Sequence, residues 1–419
     1  MKTILTNCTV IDCTGNPPME NVTVVIEDQK IARLQQGTYQ ETAGEGEMRL
    51  FDLEGGYVLP GLWNNHAHLS DLVPDPRNVL ENEPVGSAAI RCLRNAMDGL
   101  RAGFTGVRVL GERDYLDVNL RDAFDTGVFL GPSIFASGIL ITATGGHCWE
   151  PKGPGSMQID GPDEMRKAVR ENLRHNVDWI KIIDTELLPD EIQAAVDVAH
   201  QRGKRVCAHS GAPSTKVSIQ SGVDCIEHAY GLDDEIVELM VKHDVFYVPT
   251  LNIQLDEQFI QEREARLGET GILPERRVVE GRTEISASEA RTPEFAKTQH
   301  EGFRKAVEAG VKICPAGDSN PMEEFGYLDI EQMVLYGMTE MQALIASTRT
   351  SADLNGVADR LGTVEEDKLA DLIVVSGSPL ENISNIRKLQ LVLKDGNLVD
   401  MNKQEGVTDF WELFYFRED

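Results

Sequence analysis

From Ser87 to Pro315 the chain repeats one phrase: an amphipathic helix, a short turn that often carries glycine, and a brief apolar strand. Ile90, Leu93 and Met97 fall on one helical face before the strand Gly106-Val107-Arg108-Val109-Leu110, and Leu120 to Thr126 precedes Ser133-Ile134-Phe135-Ala136. Met165, Val169 and Leu173 form the stripe before Trp179-Ile180-Lys181-Ile182-Ile183. Pro189 opens a helix with Ile192, Val196 and Ala199 inward and Gly203 at its end, before Arg205-Val206-Cys207-Ala208-His209. The strands Asp224 to His228, Val245 to Pro249 and Val311 to Cys314 continue the series, and the apolar run Tyr57 to Leu62 opens it, giving eight strands. Strands alternating with helices build a parallel sheet, and eight is the number that closes a barrel. An α/β fold with a TIM-like (β/α)8 barrel over residues 58–359 is therefore expected, with an open doubly wound sheet as the alternative.

The two ends read differently. Thr3 to Asp12, Val22 to Glu27 and Lys30 to Leu34 are short strands separated by turn residues, and strand character returns at Gly362-Thr363-Val364, Ala370 to Val375 and Leu389 to Val399. Residues 1–57 and 360–405 are expected to form one small β-sandwich domain, followed by a tail over 406–419. The segment from Leu251 to His300 is too long for a simple connection and rich in Glu and Arg, so helices lying over strand seven as a lid are expected there.

Acidic residues outnumber basic ones by 69 to 40, a formal net charge of −29. Such a surface repels phosphate backbones and anionic lipid, which argues against nucleic-acid and membrane partners and leaves a small-molecule substrate, with homo-oligomerisation compatible. The seven cysteines are scattered, without a CxxC pair, and read as small buried hydrophobes. Neither a secretory leader nor an apolar run of membrane-spanning length, about 18 residues, is evident, so the cytoplasm is the expected compartment.

In His66-Ala67-His68, two imidazoles one residue apart on an extended segment project from the same face and can grip one ion together. Barrel enzymes place their chemistry at the C-terminal ends of the strands. Lys181 lies within strand four, His209 ends strand five, His228 ends strand six and Asp318 follows strand eight, so all can face one mouth with His66 and His68. His175, His200, His243 and His300 sit instead in helices or at their ends.

These residues resemble the amidohydrolase superfamily, and within it the branch of metal-dependent dipeptidases and carboxypeptidases that includes Xaa-Pro dipeptidase-like and imidazolonepropionase-like proteins. The resemblance rests on Val58-Leu59-Pro60-Gly61-Leu62 leading to His66-Ala67-His68, on Ile180-Lys181-Ile182, Ala208-His209, Ile226-Glu227-His228-Ala229 and Ala316-Gly317-Asp318-Ser319, and on the tail Gly362 to Leu372. It implies that His66, His68 and Asp318 hold one divalent metal and His209 and His228 a second, with a carboxylated Lys181 bridging them. An ammonium cannot ligate a cation, whereas a neutral lysine that captures carbon dioxide becomes an anionic oxygen ligand. Imidazole and carboxylate donors suit zinc best. The metals would make hydroxide available at neutral pH for attack on an amide carbonyl, with Asp318 carrying the proton to the departing amine. The resemblance also points to His147, in Gly145-Gly146-His147-Cys148 after strand three, as a substrate contact. Tyr230 stands where it could hydrogen-bond the carbonyl oxygen.

Amide hydrolysis of a dipeptide or N-acyl amino acid is the expected reaction. The alternatives are hydrolysis of a cyclic amide, lactone or xenobiotic amide or carbamate, deamination of a heterocycle, and a non-catalytic scaffold. Deaminases of the superfamily usually carry His-x-x-Glu after strand five, whereas Ser210-Gly211-Ala212 follow His209; a scaffold would have dropped ligands, and all six remain. Two positions depart from the family pattern. Asn64-Asn65 stand where many relatives have an aspartate, and Asp367 stands where a glycine is usual.

Overall fold

The computed structural model describes residues 2–39, 48–70, 83–148, 155–253 and 292–402. The N-terminal segment supplies β1 (Lys2–Val10), β2 (Met19–Glu27), β3 (Lys30–Gln36), β4 (Met48–Asp52) and β5 (Tyr57–Pro60). The chain then alternates: β6 (Leu62–Ala67), α1 (Val85–Arg101), β7 (Phe104–Val109), α2 (Leu116–Asp125) and β8 (Ser133–Ala136). After β9 (Leu140–Ala143) and β10 (Ser156–Ile159) come α3 (Pro162–Arg174), β11 (Trp179–Ile183), α4 (Pro189–Gln201), β12 (Arg205–Gly211), α5 (Ser214–Gln220), β13 (Cys225–Tyr230), α6 (Asp234–His243) and β14 (Phe246–Val248). The helices α7 (Pro293–Glu308), α8 (Met322–Leu335) and α9 (Glu340–Ile345) follow, then β15 (Leu372–Val375), β16 (Leu389–Lys394) and β17 (Asn397–Leu398).

Both chain ends meet in one mixed sheet, ordered β17-β16-β15-β5-β1-β2-β3 with β4 also on β1. The β2–β3 turn reaches back to the residues before β15: Ile31 N donates to Lys368 O at 2.9 Å and Ala370 N to Gln29 O at 2.8 Å. The sheet thus curls around Leu5, Val10, Val24, Val58, Leu372 and Leu393, all buried. Between Ile31 and Ala370 the chain passes Asp367, whose φ is +70°. Glycine takes that left-handed conformation without a Cβ penalty, and Asp is among the side chains that tolerate it best.

The alternating region forms two parallel sheets, β6-β7-β8 and β10-β9-β11-β12-β13-β14. Backbone hydrogen bonds link them at both edges. On one side Asp178 N donates to Ala136 O at 2.7 Å; on the other, residues 312–318 bridge β14 and β6 through Tyr247 N to Lys312 O at 2.9 Å, Asn65 N to Pro315 O at 3.0 Å and Asp318 N to His66 O at 2.8 Å. The described ladders are therefore two parallel sheets joined by isolated backbone bonds and a single parallel bridge, Tyr247 to Ile313, not one continuously paired ring.

Several sequence expectations need correction. The Tyr57 to Leu62 run is not one strand: β5 pairs with β15 and β1 in the end sheet, and the first parallel strand is β6, which contains His66. The change of sheet falls at Gly61, where a Cβ would lie 2.1–2.7 Å from the Thr105 side chain. Of the expected apolar face of α1, Ile90 is 72% exposed and Leu93 and Met97 are half-buried against the core, while Ala88, Cys92, Ala96 and Gly99 face it directly. Gly362 to Val364 form no strand, and β9 and β10 are additional strands. The expected lid lies outside the described residues, apart from the turn Leu251–Ile253 and α7, as does the expected tail over 406–419.

Close packing inside the first parallel sheet gives a stability prediction. A Cβ on Gly106 would stand 2.4–2.6 Å from three ring atoms of Trp63, which is itself 2% exposed. A buried indole has no room to swing aside, so Gly106→Ala should cost about 1–3 kcal/mol, typical of an overpacked core. Urea denaturation measures this directly; an unshifted midpoint would mean that Trp63 relocates freely.

Candidate metal centre

The candidate ligands come from both parallel sheets, most of them at or near the ends where the strands stop. His66 lies in β6, Lys181 in β11, His209 in β12 and His228 in β13, with Asp318 in the segment that bridges β14 and β6. His228, Ala229, Thr250 and Asp318 all have positive φ, between 49° and 64°. Left-handed backbone at non-glycine residues is strained by about 1–3 kcal/mol each and gathers where side chains must be aimed.

The side chains converge. The Nε2 atoms of His66 and His68 stand 3.1 and 3.4 Å from Asp318 Oδ1. Lys181 Nζ is 3.5 Å from His66 Nε2. The His228 ring lies 5.0 Å from that of His66 and 4.6 Å from that of His209. His147 stands 4.7 Å from His209, and Tyr230 stacks on His228 at 5.2 Å, 8° from parallel. Every site residue expected from the sequence is thus in one cluster. His147 follows β9, however, and not strand three at β8.

The donor chemistry fits a divalent cation. Burial holds His66, His209 and His228 well below the usual imidazole range, so they are neutral and carry a lone pair. Burial opposes ionisation of Asp318, but His66, His68 and Lys181 outweigh it and hold the carboxyl below its ordinary value. Tautomers are set from behind. His68 Nδ1 faces the Gly111 carbonyl at 3.2 Å, which only accepts. In His68, therefore, Nδ1 carries the proton and Nε2 is left bare, as a metal ligand requires. His228 Nδ1 faces Thr250 Oγ1 at 2.7 Å, a hydroxyl that can donate or accept, and lies 3.8 Å from Asp318 Oδ2. Among the described residues, His66, His68 and Asp318 are the one group of three such side chains whose ligand atoms lie mutually within 4.8 Å.

The Asn64-Asn65 pair acts as a brace. Asn64 Oδ1 accepts from His66 N at 3.2 Å and Gly317 N at 2.9 Å, tying the first ligand strand to the residue before Asp318. Asn65 Nδ2 donates to Pro315 O and Ser351 Oγ at 3.1 and 2.8 Å. Sequence reasoning missed the groups behind the ligands: Thr250, and Glu227, whose Oε2 meets His66 Nδ1 at 3.0 Å and whose Oε1 meets Arg108 Nη2 at 2.7 Å. The one signal for Glu227 was an acid inside an apolar strand beside His228.

The chain is similar to the ochratoxinase of Aspergillus niger, 26% identical over 366 residues that cover 78% of this chain and 71% of that protein. It superposes on a solved Xaa-Pro dipeptidase with methionine bound in its active site, with a TM-score of 0.80, 30% identity, and coverage of 95% of this chain and 99% of the other. A prolidase complexed with N-methylphosphonate-L-proline matches with a TM-score of 0.77 and 26% identity over 95% of this chain and 99% of the other. The profile of the Amidohydrolase family matches residues 57–399, and with the site described above it follows that the chain belongs to the amidohydrolase family and is a hydrolytic enzyme.

Proposed function

We propose that this hydrolase cleaves the amide C–N bond of a small molecule, a dipeptide or N-acyl amino acid, at a centre of two divalent ions, zinc for preference. His66, His68 and Asp318 would hold one ion and His209 and His228 the other, with Lys181 as a bridging carbamate. The observation that carries the reading is the convergence of neutral imidazoles on Asp318 beside a buried lysine. Among the described residues no carboxylate lies within 4.0 Å of Lys181 Nζ, although the residue is only 2% exposed. A buried ammonium without a paired carboxylate costs several kcal/mol, a cost the carbamate avoids. The likeness to a Xaa-Pro dipeptidase at 30% identity supports the substrate class. The bonds that join the two parallel sheets at both edges support a closed (β/α)8 barrel around the site.

Bound ions would acidify a water and polarise the scissile carbonyl. The protein's own part is proton transfer and positioning. Asp318 takes a proton from the attacking water and delivers it to the departing nitrogen. The Tyr230 hydroxyl donates to the carbonyl oxygen as negative charge grows on it, and His147 holds the substrate against His209. The test is a screen of dipeptide and N-acyl amino acid libraries with protein reconstituted in zinc and bicarbonate. Hydrolysis of members of these libraries is expected. Retention of well under about one zinc per chain would overturn the metal reading, and zinc-loaded protein inert on every member would overturn the substrate class.

A further inference from the structure

Behind His66 lies a buried ion pair that the reaction itself does not use. Glu227, on β13, and Arg108, on β7, both have fully buried side chains, with Glu227 Oε1 2.7 Å from Arg108 Nη2. Arg108 is fixed independently of that contact: its Nε donates to Asn65 O at 2.7 Å, and its guanidinium lies 4.6 Å from the Trp179 ring. Cys225 Sγ also donates to Oε1, at 3.1 Å. The other carboxylate oxygen, Oε2, faces His66 Nδ1 at 3.0 Å. A guanidinium has donors only, so whatever stands at position 227 must turn an acceptor toward Arg108. With glutamate, the second oxygen is also an acceptor, and His66 must present Nδ1–H to it.

We propose that Glu227 and Arg108 are positioning residues that fix the His66 tautomer: Arg108 claims one oxygen of Glu227, the other takes the Nδ1 proton of His66, and Nε2 is left bare for a divalent metal. This rests on the metal reading of the site. It separates the pair from a merely structural ion pair, because the two roles respond differently to an isosteric change. In Glu227→Gln, Arg108 would hold the amide oxygen, so the amide NH₂ would face His66 and could only donate. Nδ1 would then have to accept, moving the ring proton to Nε2 and aiming it at the metal position. Adding Arg108→Met removes the guanidinium's demand on the oxygen, and the remaining neighbour, Cys225 Sγ at 3.1 Å, is a weak donor that can also accept, so the amide can turn over and accept from Nδ1–H again.

The measurement is zinc affinity by chelator competition on the full chain, for the wild type, E227Q and R108M/E227Q, with thermal melting to verify folding. E227Q should bind zinc about 10–100-fold more weakly, the range for losing a group that orients a ligand. The double variant should recover at least about tenfold of that loss, a coupling that a structural pair would not show because the double variant removes more native contacts. Zinc affinity of E227Q within about twofold of wild type, or a double variant no tighter than E227Q, overturns the proposal. Zinc-loaded wild type labelled with ¹⁵N-histidine gives a test free of variants: a His66 Nδ1–H correlation is expected, and a bare Nδ1 overturns the assignment even if E227Q does not fold. Wild type that binds no zinc overturns the metal reading itself, an outcome distinct from intact zinc binding with an unaffected E227Q.

Discussion

Asp318→Asn is expected to lower kcat by about 10³-fold, within the usual range for losing a general acid–base group, while the protein stays folded. The backbone supports the second half of that statement. Asp318 sits at φ +51° and its N–H donates to His66 O at 2.8 Å. Asn is among the residues most tolerant of left-handed backbone, so neither feature is disturbed. The change falls on chemistry. An amide cannot shuttle a proton, and it withdraws the negative charge that His66 and His68 face at 3.1 and 3.4 Å. Steady-state kinetics on whichever substrate emerges from the library screen, with thermal melting alongside, reads both effects. A folded variant within about tenfold of wild type would remove Asp318 from proton transfer.

The candidate ligands were legible from sequence because metal chemistry needs particular residue types and a parallel α/β fold puts them at or near strand ends. His66-Ala67-His68, His209, His228 and Asp318 each stood at or near such an end and Lys181 stood within strand four, and the structure brings their side chains together. What failed had physical causes. On α1 the stripe Ile90, Leu93 and Met97 suggested the inner face, but α8 packs close against the helix, so Leu93 and Met97 reach only the margin of the core and Ile90 faces solvent. A Cβ on Gly99 would meet the Met322 side chain at 1.8 Å, so the small residues Ala88, Cys92, Ala96 and Gly99 face inward. Two polar residues join them because each finds a partner. Arg91 pairs with Glu83 and donates to Ser70 O at 2.6 Å, and Asn95 donates to Leu69 O at 2.9 Å. Tyr57 to Leu62 read as one strand because apolar runs carry no mark for a change of sheet; the mark was Gly61, packed against Thr105. The supports of the site were less legible still. Arg108 and Glu227 lie 119 positions apart in the chain, and a charge inside an apolar strand signals burial without naming its partner.

Lys181→Met tests the other half of the centre, and its expected signature is loss of metal without loss of fold. Lys181 lies in β11 between Ile180 and Ile182, both fully buried. Its amine is 3.5 Å from His66 Nε2, so an unmodified ammonium would stand beside an imidazole that must itself bind a cation. Carboxylation would reverse the sign of that contact and would supply oxygen donors to the proposed site. Methionine has similar length and no charge, and apolar replacements of buried ionic groups are often neutral or stabilising, so the variant should melt at or above the wild-type temperature. Metal affinity should fall by more than about 100-fold at one of the two positions, since losing even an outer supporting group costs about 10–100-fold, and turnover should fall with it. Zinc content after reconstitution should rise with bicarbonate in the wild type and not in the variant. A ¹³C carbamate resonance from ¹³C-bicarbonate should appear in the wild type alone. A variant that binds about two zinc ions and keeps its activity would leave Lys181 with only a packing role, and the bridging group would have to be sought elsewhere among the residues around His66.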